Sequence, residues 1–597
     1  MSEGPGPSVG AAAGTATGPS AQRRGTGDVA PPAVAKPPVA ETPPVAGGPP
    51  PPPASAGPGA STAPGPEVSP RPADVPVTRG FLARAALLTA VLSAAGALLG
   101  LVRDQTLARM FGAGSATDAF LVAWTVPEFA ATLLIEDGLA IALIPAFSMA
   151  LARRAGGAAG DPVRSLVAHT LPRLALAFAA TGALLAVLAP QVVGVLAPGL
   201  PDPGLAVDCT RLTATCVLSF GLAGYCSAAL RAHSRFLAPA AIYVAYNTGI
   251  ITAVLLLGGR WGVRAAAAGV AIGGCLMVLA QLPVLWRELR HKDTAAVRPA
   301  TGEGDGRAMG VALLAAVLLF ALCRQSQVLI ERFLGSTLPA GAISHLNFAQ
   351  KIAQIPMTLS LMLCTVTFPV VARALAEGDT ERARERVERD LALAASMVLA
   401  GGAVVVACAP QIVELLLQRG AFTAQDTAAT VEVMRVYSLG LLAHTLVGAL
   451  IRSYFSAGRV TWFPLGAMAA GLAVTAVAGA WAVGPWGVRG IAAANAAGIT
   501  VTAALLLAGL AGRGVPVRTR RVWAHVARPV GAAVPATLAG AWAAGRSGSP
   551  LLALAAGAVT VAVVFLPLGR ALGDQGCVAA LHSLRSVSRR LPHGRTR

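Results

Sequence analysis

The sequence predicts an all-α polytopic membrane protein of about fourteen transmembrane helices, arranged as two parallel-repeat six-helix lobes plus two C-terminal helices. Three observations carry this reading. First, 55% of the 597 residues are hydrophobic and 13% are charged, with a mean hydropathy of +0.65; a soluble chain carries roughly a quarter charged residues. Second, the apolar stretches reach the ~20 residues a helix needs to cross a bilayer. They are continuous in Ala, Leu, Val and Gly, without the alternation of a barrel strand. Third, WGVRAAAAG at 261–269 returns as WGVRGIAAA at 486–494, 225 residues later.

Residues 1–79 read as a disordered Pro/Gly/Ala-rich tail on the cytoplasmic side, with PPPPP at 49–53 and no apolar core of a signal peptide. Apolar helices begin at Gly80. The expected spans lie at 80–102, 116–151, 165–198, 210–230, 238–258 and 265–286 in a first lobe, residues 80–290. A second lobe, residues 308–515, holds 308–332, 340–372, 390–417, 427–452, 463–483 and 488–511. Two more spans, 523–544 and 549–571, precede a basic tail at 572–597. The repeat extends beyond its best-matched copy. ALRAHSRFLAP at 229–239 pairs with RSYFSAGRVTWFP at 452–464, and LVRDQTLARMFG at 101–112 pairs with LCRQSQVLIERFLG at 322–335. An offset spanning an even number of helices gives both lobes one orientation, with a substrate site between them near mid-depth.

The net charge of +19 comes almost wholly from arginines between the apolar stretches. That placement writes membrane topology and does not point to nucleic acid. Every second loop is rich in Arg, as at Arg153/Arg154/Arg164 and Arg231/Arg235, while 197–208 has none. The positive-inside rule places the rich loops and both termini in the cytoplasm. None of the eight cysteines forms a CxxC pair, so neither a metal site nor a disulfide framework is expected. The absence of a Walker loop, a GxSxG elbow and a zinc motif argues against an enzyme and against an ATP-driven pump.

Ionisable groups inside apolar spans are the informative residues, because a charge at the bilayer centre costs about 2.5–3.5 kcal/mol on insertion scales. The first lobe offers Arg103, Asp104, Asp118, Glu136 and Asp137; the second offers Arg324, Glu331, Arg332, Lys351 and Arg435. Arg103 and Asp118 read either as an ion pair locking two helices or as an anion contact with a gate. Glu136 and Asp137 read as an interfacial pair or as a proton or cation site, since adjacent carboxylates in low dielectric shift one another. Lys351 reads as a snorkelling side chain or as a point charge for phosphate. His345 and His444 read as packed polar residues.

GLVRDQTLARMFGAGSATDAFLVAWTVPE at 100–128, GAISHLNFAQKIAQIP at 341–356 and RGAFTAQDT at 419–427 resemble the MurJ/MviN family, the lipid II flippases of the multidrug/oligosaccharidyl-lipid/polysaccharide exporter superfamily. The resemblance runs from about residue 80 to about 515. It implies a V-shaped two-lobe bundle with alternating access in the bacterial inner membrane. Its cationic cavity takes the diphosphate and sugar of a lipid-linked precursor, its last two helices hold the polyprenyl tail, and an ion gradient or the membrane potential drives it, with no cofactor. By motif match, Arg103 and Asp118 occupy functional positions, and Glu136 matches an acidic residue after helix two. Family arginines are replaced by Ala97, Ala131 and Thr132, and one cavity arginine is Lys351. Lys cannot make the bidentate phosphate contact of Arg; Arg324 is the expected compensating cation. Substrate binding is thus expected at Arg103, Lys351 and Arg324, and gating or ion coupling at Asp118, Glu136 and Asp137. Expected partners are the anionic lipid-linked substrate, membrane lipids and cell-wall synthesis proteins on the N-terminal tail. Two alternatives stay open: a cation-coupled small-molecule exporter, and a non-transporting paralogue that scaffolds cell-wall synthesis.

Overall fold

The computed structural model describes residues 79–136, 138–157, 160–290, 311–362, 377, 379–456, 461–513 and 517–578. The N-terminal and C-terminal tails, Asp137 and most of the 291–310 and 363–378 segments lie outside them. The described residues are helical and contain no strand.

The first lobe runs α1 (Arg79–Phe111), α2 (Ser115–Ala123), α3 (Thr125–Ala130), a π-helical turn (Ala131–Glu136), α4 (Gly138–Ala155), α5 (Pro162–Val187), α6 (Ala189–Leu196), α7 (Pro203–Ala214), α8 (Cys216–Ala232), α9 (Leu237–Trp261) and α10 (Arg264–Arg290). The second runs α11 (Val311–Ser336), α12 (Ala342–Ala353), a short helical stretch at 355–362, α13 (Thr380–Ala407), α14 (Ala409–Leu417), α15 (Ala424–Ser438), α16 (Leu441–Ser456) and α17 (Phe463–Arg513). Two final helices are α18 (Thr519–Ala544) and α19 (Pro550–Ala571). Among the described residues nine helices are long and apolar enough to cross a membrane, or up to ten if a bent pair counts as one span. The chain is a multi-pass membrane protein.

Local chemistry explains the boundaries. Asp161 accepts from the N–H groups of Val163 and Arg164 and Pro162 opens α5, a cap followed by a residue with no amide hydrogen to satisfy. Thr423 and Asp426 form a reciprocal capping box at the start of α15. The expected span at 116–151 is broken by Trp124 and by the π-turn, and the one at 165–198 breaks at Leu188 ahead of Pro190. The spans expected at 463–483 and 488–511 join in α17, bent at Gly487.

The internal repeat is visible in backbone and side chains alike. Gly262 and Gly487, the glycines of the two WGVR copies, have φ 56°, ψ −140° and φ 55°, ψ −133°, a region open to glycine and strained for other residues. The arginine two residues later makes a matching ion pair in each lobe: Arg264 to Asp208 at 2.8 Å and Arg489 to Glu432 at 3.5 Å.

Each lobe buries apolar clusters drawn mostly from its own helices, with Ile343 and Ala108 reaching into the cluster of the opposite lobe. One gathers Phe120, Trp124, Phe220 and Tyr246; its counterparts in the second lobe gather Phe348, Phe422 and Tyr437, and Leu450, Tyr454 and Leu506. The last helices, α18 and α19, pack on each other and against α13 and α14, so they belong with the second lobe.

Candidate functional site

The lobes meet where α2 packs on α12, where α3, the π-turn and α6 pack on α11, and where α1 packs on α14. At one end of this seam, where α1 ends and α12 begins, the contacts are polar and close. Asp118, 3% exposed on α2, reaches across to the second lobe. It accepts from the Gly341 N–H at 2.6 Å, from the Ser344 N–H at 2.7 Å and from the Ser344 hydroxyl at 2.5 Å. α12 has no side-chain cap of its own; Asp118 caps it from the other lobe, where a carboxylate also meets the positive end of the helix dipole. Gly341 takes φ +96°, and a Cβ there would sit 2.8 Å from the Ala113 carbonyl of the first lobe. Nearby, the Ala421 N–H donates to the Arg109 carbonyl at 2.8 Å and the Gly199 N–H to the Ser336 hydroxyl at 3.3 Å.

Deeper along the seam lies a small pocket of about 10 Å³, room for about one water, whose walls include Arg103, Asp104, Trp124, Asn347, Phe348 and Lys351. Arg103 donates through Nε and Nη2 to Asp104 Oδ1, at 2.9 and 2.7 Å, and through Nη1 to Asn247 Oδ1 at 3.1 Å. The Asn247 amide is itself fixed by the carbonyls of Gly96 and Tyr243. The other Asp104 oxygen faces Lys351 Nζ at 3.6 Å, an ion pair between lobes. Trp124 packs beneath both cations, 4.6 Å from the Arg103 guanidinium and 5.5 Å from Lys351 Nζ, within cation–π range. The arrangement presents two cations from opposite lobes in a largely desolvated wall, bridged by one carboxylate.

The helix bearing Lys351 is anchored by a buried polar chain in the second lobe. Gln350 and Gln354, flanking Lys351, donate to the Tyr437 hydroxyl at 3.0 and 2.8 Å. Tyr437 stacks on His444 and their polar atoms lie 3.3 Å apart. His444 meets Asn495 Oδ1 at 3.2 Å, and the Asn495 amide donates to Glu331. His444 is thus the packed polar residue expected of it.

Several expectations need correction. Arg103 does not pair with Asp118; it pairs with Asp104, while Asp118 caps α12. Arg324 is exposed on α11 and does not line the pocket, so it is not brought to Arg103 and Lys351. Glu136 is exposed at the end of the π-turn and accepts from the Tyr243 hydroxyl at 3.0 Å; Asp137 lies outside the described residues. The pocket draws on α1, α2 and α12, with Trp124 between α2 and α3, and not on α11. Asn247 and Trp124 carried no signal in the sequence beyond being an amide and an indole inside apolar runs.

A family model described as "Lipid II flippase MurJ" matches residues 107–555, three quarters of the chain and both halves of the seam. The chain belongs to the MurJ family. The "Probable lipid II flippase MurJ" of Rhizobium meliloti is 28% identical over 441 residues, covering 71% of this chain and 80% of the relative. The "Lipid II flippase MurJ" of Burkholderia cenocepacia is 27% identical over 371 residues, covering 60% and 70%. Among solved structures, one described as "Lipid II flippase MurJ, inward closed conformation" aligns with TM-score 0.63 at 17% identity, covering 81% of this chain and 98% of that one. An inward-facing multidrug resistance MATE transporter of the MOP superfamily aligns with TM-score 0.55 at 14% identity, covering 74% and 98%. These likenesses establish the all-helical transporter fold shared by MurJ and MATE proteins.

Proposed function

We propose that this chain is a flippase that carries lipid II, a polyprenyl-diphosphate-linked wall precursor, across the bacterial inner membrane by alternating access. The observation that carries the reading is the convergence of Arg103 and Lys351, one from each lobe, on a single pocket. A diphosphate bears several negative charges, and each contact gains strength in a partly desolvated wall. Asp104 holds both cations when no substrate is bound. An arriving diphosphate competes with that carboxylate for Lys351, and this loosens the Asp104–Lys351 ion pair that ties the lobes.

Orientation follows from the arginine-rich loops. Arg153, Arg154, Arg231 and Arg287 lie at one end of the helices, and 197–208 lies at the other with Asp118 and Gly341. The arginine end faces the cytoplasm with both termini, and the seam capped by Asp118 is an outer gate, closed in this conformation. The division at 290 and 308 then separates two bodies that rock about the pocket, with the N-terminal tail free to engage wall-synthesis proteins inside. Asp118 sets the gate. Glu136, at the end of the π-turn and tied to Tyr243 of α9, contributes with Asp137 to gating or ion coupling; an ion gradient or the membrane potential supplies the drive.

The test is translocation of lipid II by the purified protein in proteoliposomes, with complementation of a strain depleted of its own flippase. Wild type should translocate and complement. Failure of well-inserted wild-type protein in both assays would remove the reading and favour the non-transporting paralogue.

A further inference from the structure

Arg332 is the residue the site leaves unexplained. It is 2% exposed, its Nε is buried without a hydrogen-bond partner, and it makes no ion pair among the described residues. A buried guanidinium costs several kcal/mol unless it is paired, so a chain that keeps one has a use for it. The adjacent Glu331 does not serve: its carboxylate turns to the Asn495 amide on α17. Arg332 lies one helical turn before Ser336, on the same face of α11, and Ser336 accepts from the Gly199 N–H of the first lobe. Arg332 therefore faces the inter-lobe seam, just beneath the closed gate.

Its depth relative to Lys351 follows from helix geometry. α11 and α12 are joined end to end through 337–341. Arg332 lies four residues before the end of α11, and Lys351 nine residues after Ala342, or roughly 6 and 14 Å from the gate at 1.5 Å per residue. An anion moving from Lys351 toward the gate meets Arg332 next.

We propose that Arg332 is a third cation for the substrate's diphosphate, engaged on the outward half of the cycle when the gate opens. It supplies from the second lobe the cation that Arg324, exposed on the same helix, does not bring to the pocket. As a planar fork it can hold phosphate through two parallel hydrogen bonds, which Lys351 cannot. The inference rests on the flippase reading above.

The experiment compares Arg332→Met, Arg332→Lys, Arg103→Ala and Lys351→Ala in lipid II translocation, with melting temperatures measured in substrate-free nanodiscs. Arg332→Met should leave the melting temperature unchanged or raised, because an unpaired buried charge is replaced by an apolar side chain of similar length. The same variant should translocate about ten- to a hundredfold more slowly, the loss of one charge-assisted contact. Arg332→Lys, which keeps the charge, should recover most of that rate. A lowered melting temperature for Arg332→Met would assign Arg332 to structure and overturn the proposal. So would wild-type translocation by Arg332→Met while Arg103→Ala and Lys351→Ala are disabled, an outcome that leaves the flippase reading intact. Wild-type protein that cannot move lipid II removes both.

Discussion

On the proposed reading, Lys351 and Arg103 hold the diphosphate from a partly buried wall, so each should be individually costly to lose. Removing one charge-assisted hydrogen bond costs about 1.5–3 kcal/mol, or about tenfold to a hundredfold in affinity. Arg103→Ala and Lys351→Ala should each weaken lipid II binding by that factor at normal expression, measured in nanodiscs. Lys351→Arg should bind as well as wild type or better, since a guanidinium can grip phosphate with two donors. Arg103 and Lys351 could be found in the sequence because a cation inside an apolar run has no bland place to sit. The partner of Arg103 could not. Asp104 is its neighbour in sequence, and adjacent helix residues point about 100° apart; only the length of the arginine lets it fold back. Asp118 lies near Arg103 in the chain, yet α1 ends between them and carries Asp118 to the other lobe. The place of Arg324 was misread for a related reason: the repeat aligns Arg324 with Arg103, but alignment fixes the helix and its depth, not which side of the helix faces the seam.

At the scale of elements, α12 is a helix whose N-terminus is completed by the opposite lobe, so on the proposed cycle its cap is lost when the lobes part at this end. Replacing an N-cap residue with Ala costs about 0.5–2 kcal/mol. Asp118→Ala, which removes all three accepted hydrogen bonds, should shift the protein toward the gate-open form. Asp118→Asn should do so less, because one side-chain oxygen still accepts from Ser344. Gly341→Ala should act in the same direction as Asp118→Ala, by strain at φ +96° and by crowding the Ala113 carbonyl. The measurement is labelling of an Ala113→Cys thiol by a membrane-impermeant reagent. Faster labelling in Asp118→Ala and Gly341→Ala is expected, and equal rates would mean that the trans cap does not hold the gate. Helix existence and the repeat were legible because apolar length and the WGVR copies are local signals, and Gly262 and Gly487 bear the repeat out in their backbone angles. The breaks at Trp124 and in the π-turn were not legible. No glycine marks the first, and Pro127 stands in the first turn of α3, where its ring is tolerated; Gly138 follows the second and packs on the Leu133 carbonyl, but a lone glycine does not specify a π-turn.

For the whole molecule, alternating access requires that the seam between 109–118 and 336–345 open and close while each lobe keeps its own core. Most of each lobe's apolar core lies within that lobe, with Ile343 and Ala108 the buried apolar residues that pack across, whereas the closest contacts at this end of the seam are hydrogen bonds that water can replace. Separation there costs far less than disruption of either core. A covalent tie across the gate should therefore stop the cycle without unfolding the protein. Ala113 and Ala421 are suited to carry it: both keep some exposure, and they border the places where Gly341 and Gly112 contact the opposite lobe. The background should carry Cys275→Ser, since Cys275 is the exposed native thiol among the described cysteines. Joining Ala113→Cys to Ala421→Cys with a short reducible cross-linker should abolish lipid II translocation, leave the melting temperature the same or higher, and be reversed by reductant. The orientation is read in the same preparation: a Pro203→Cys thiol should react from the outside, and an Arg235→Cys thiol only after the membrane is breached. Translocation that persists with the cross-link complete would mean that the substrate does not leave between the lobes at this end. The reverse labelling pattern would place the gate on the cytoplasmic side and invert the direction of the path from Lys351 toward Asp118.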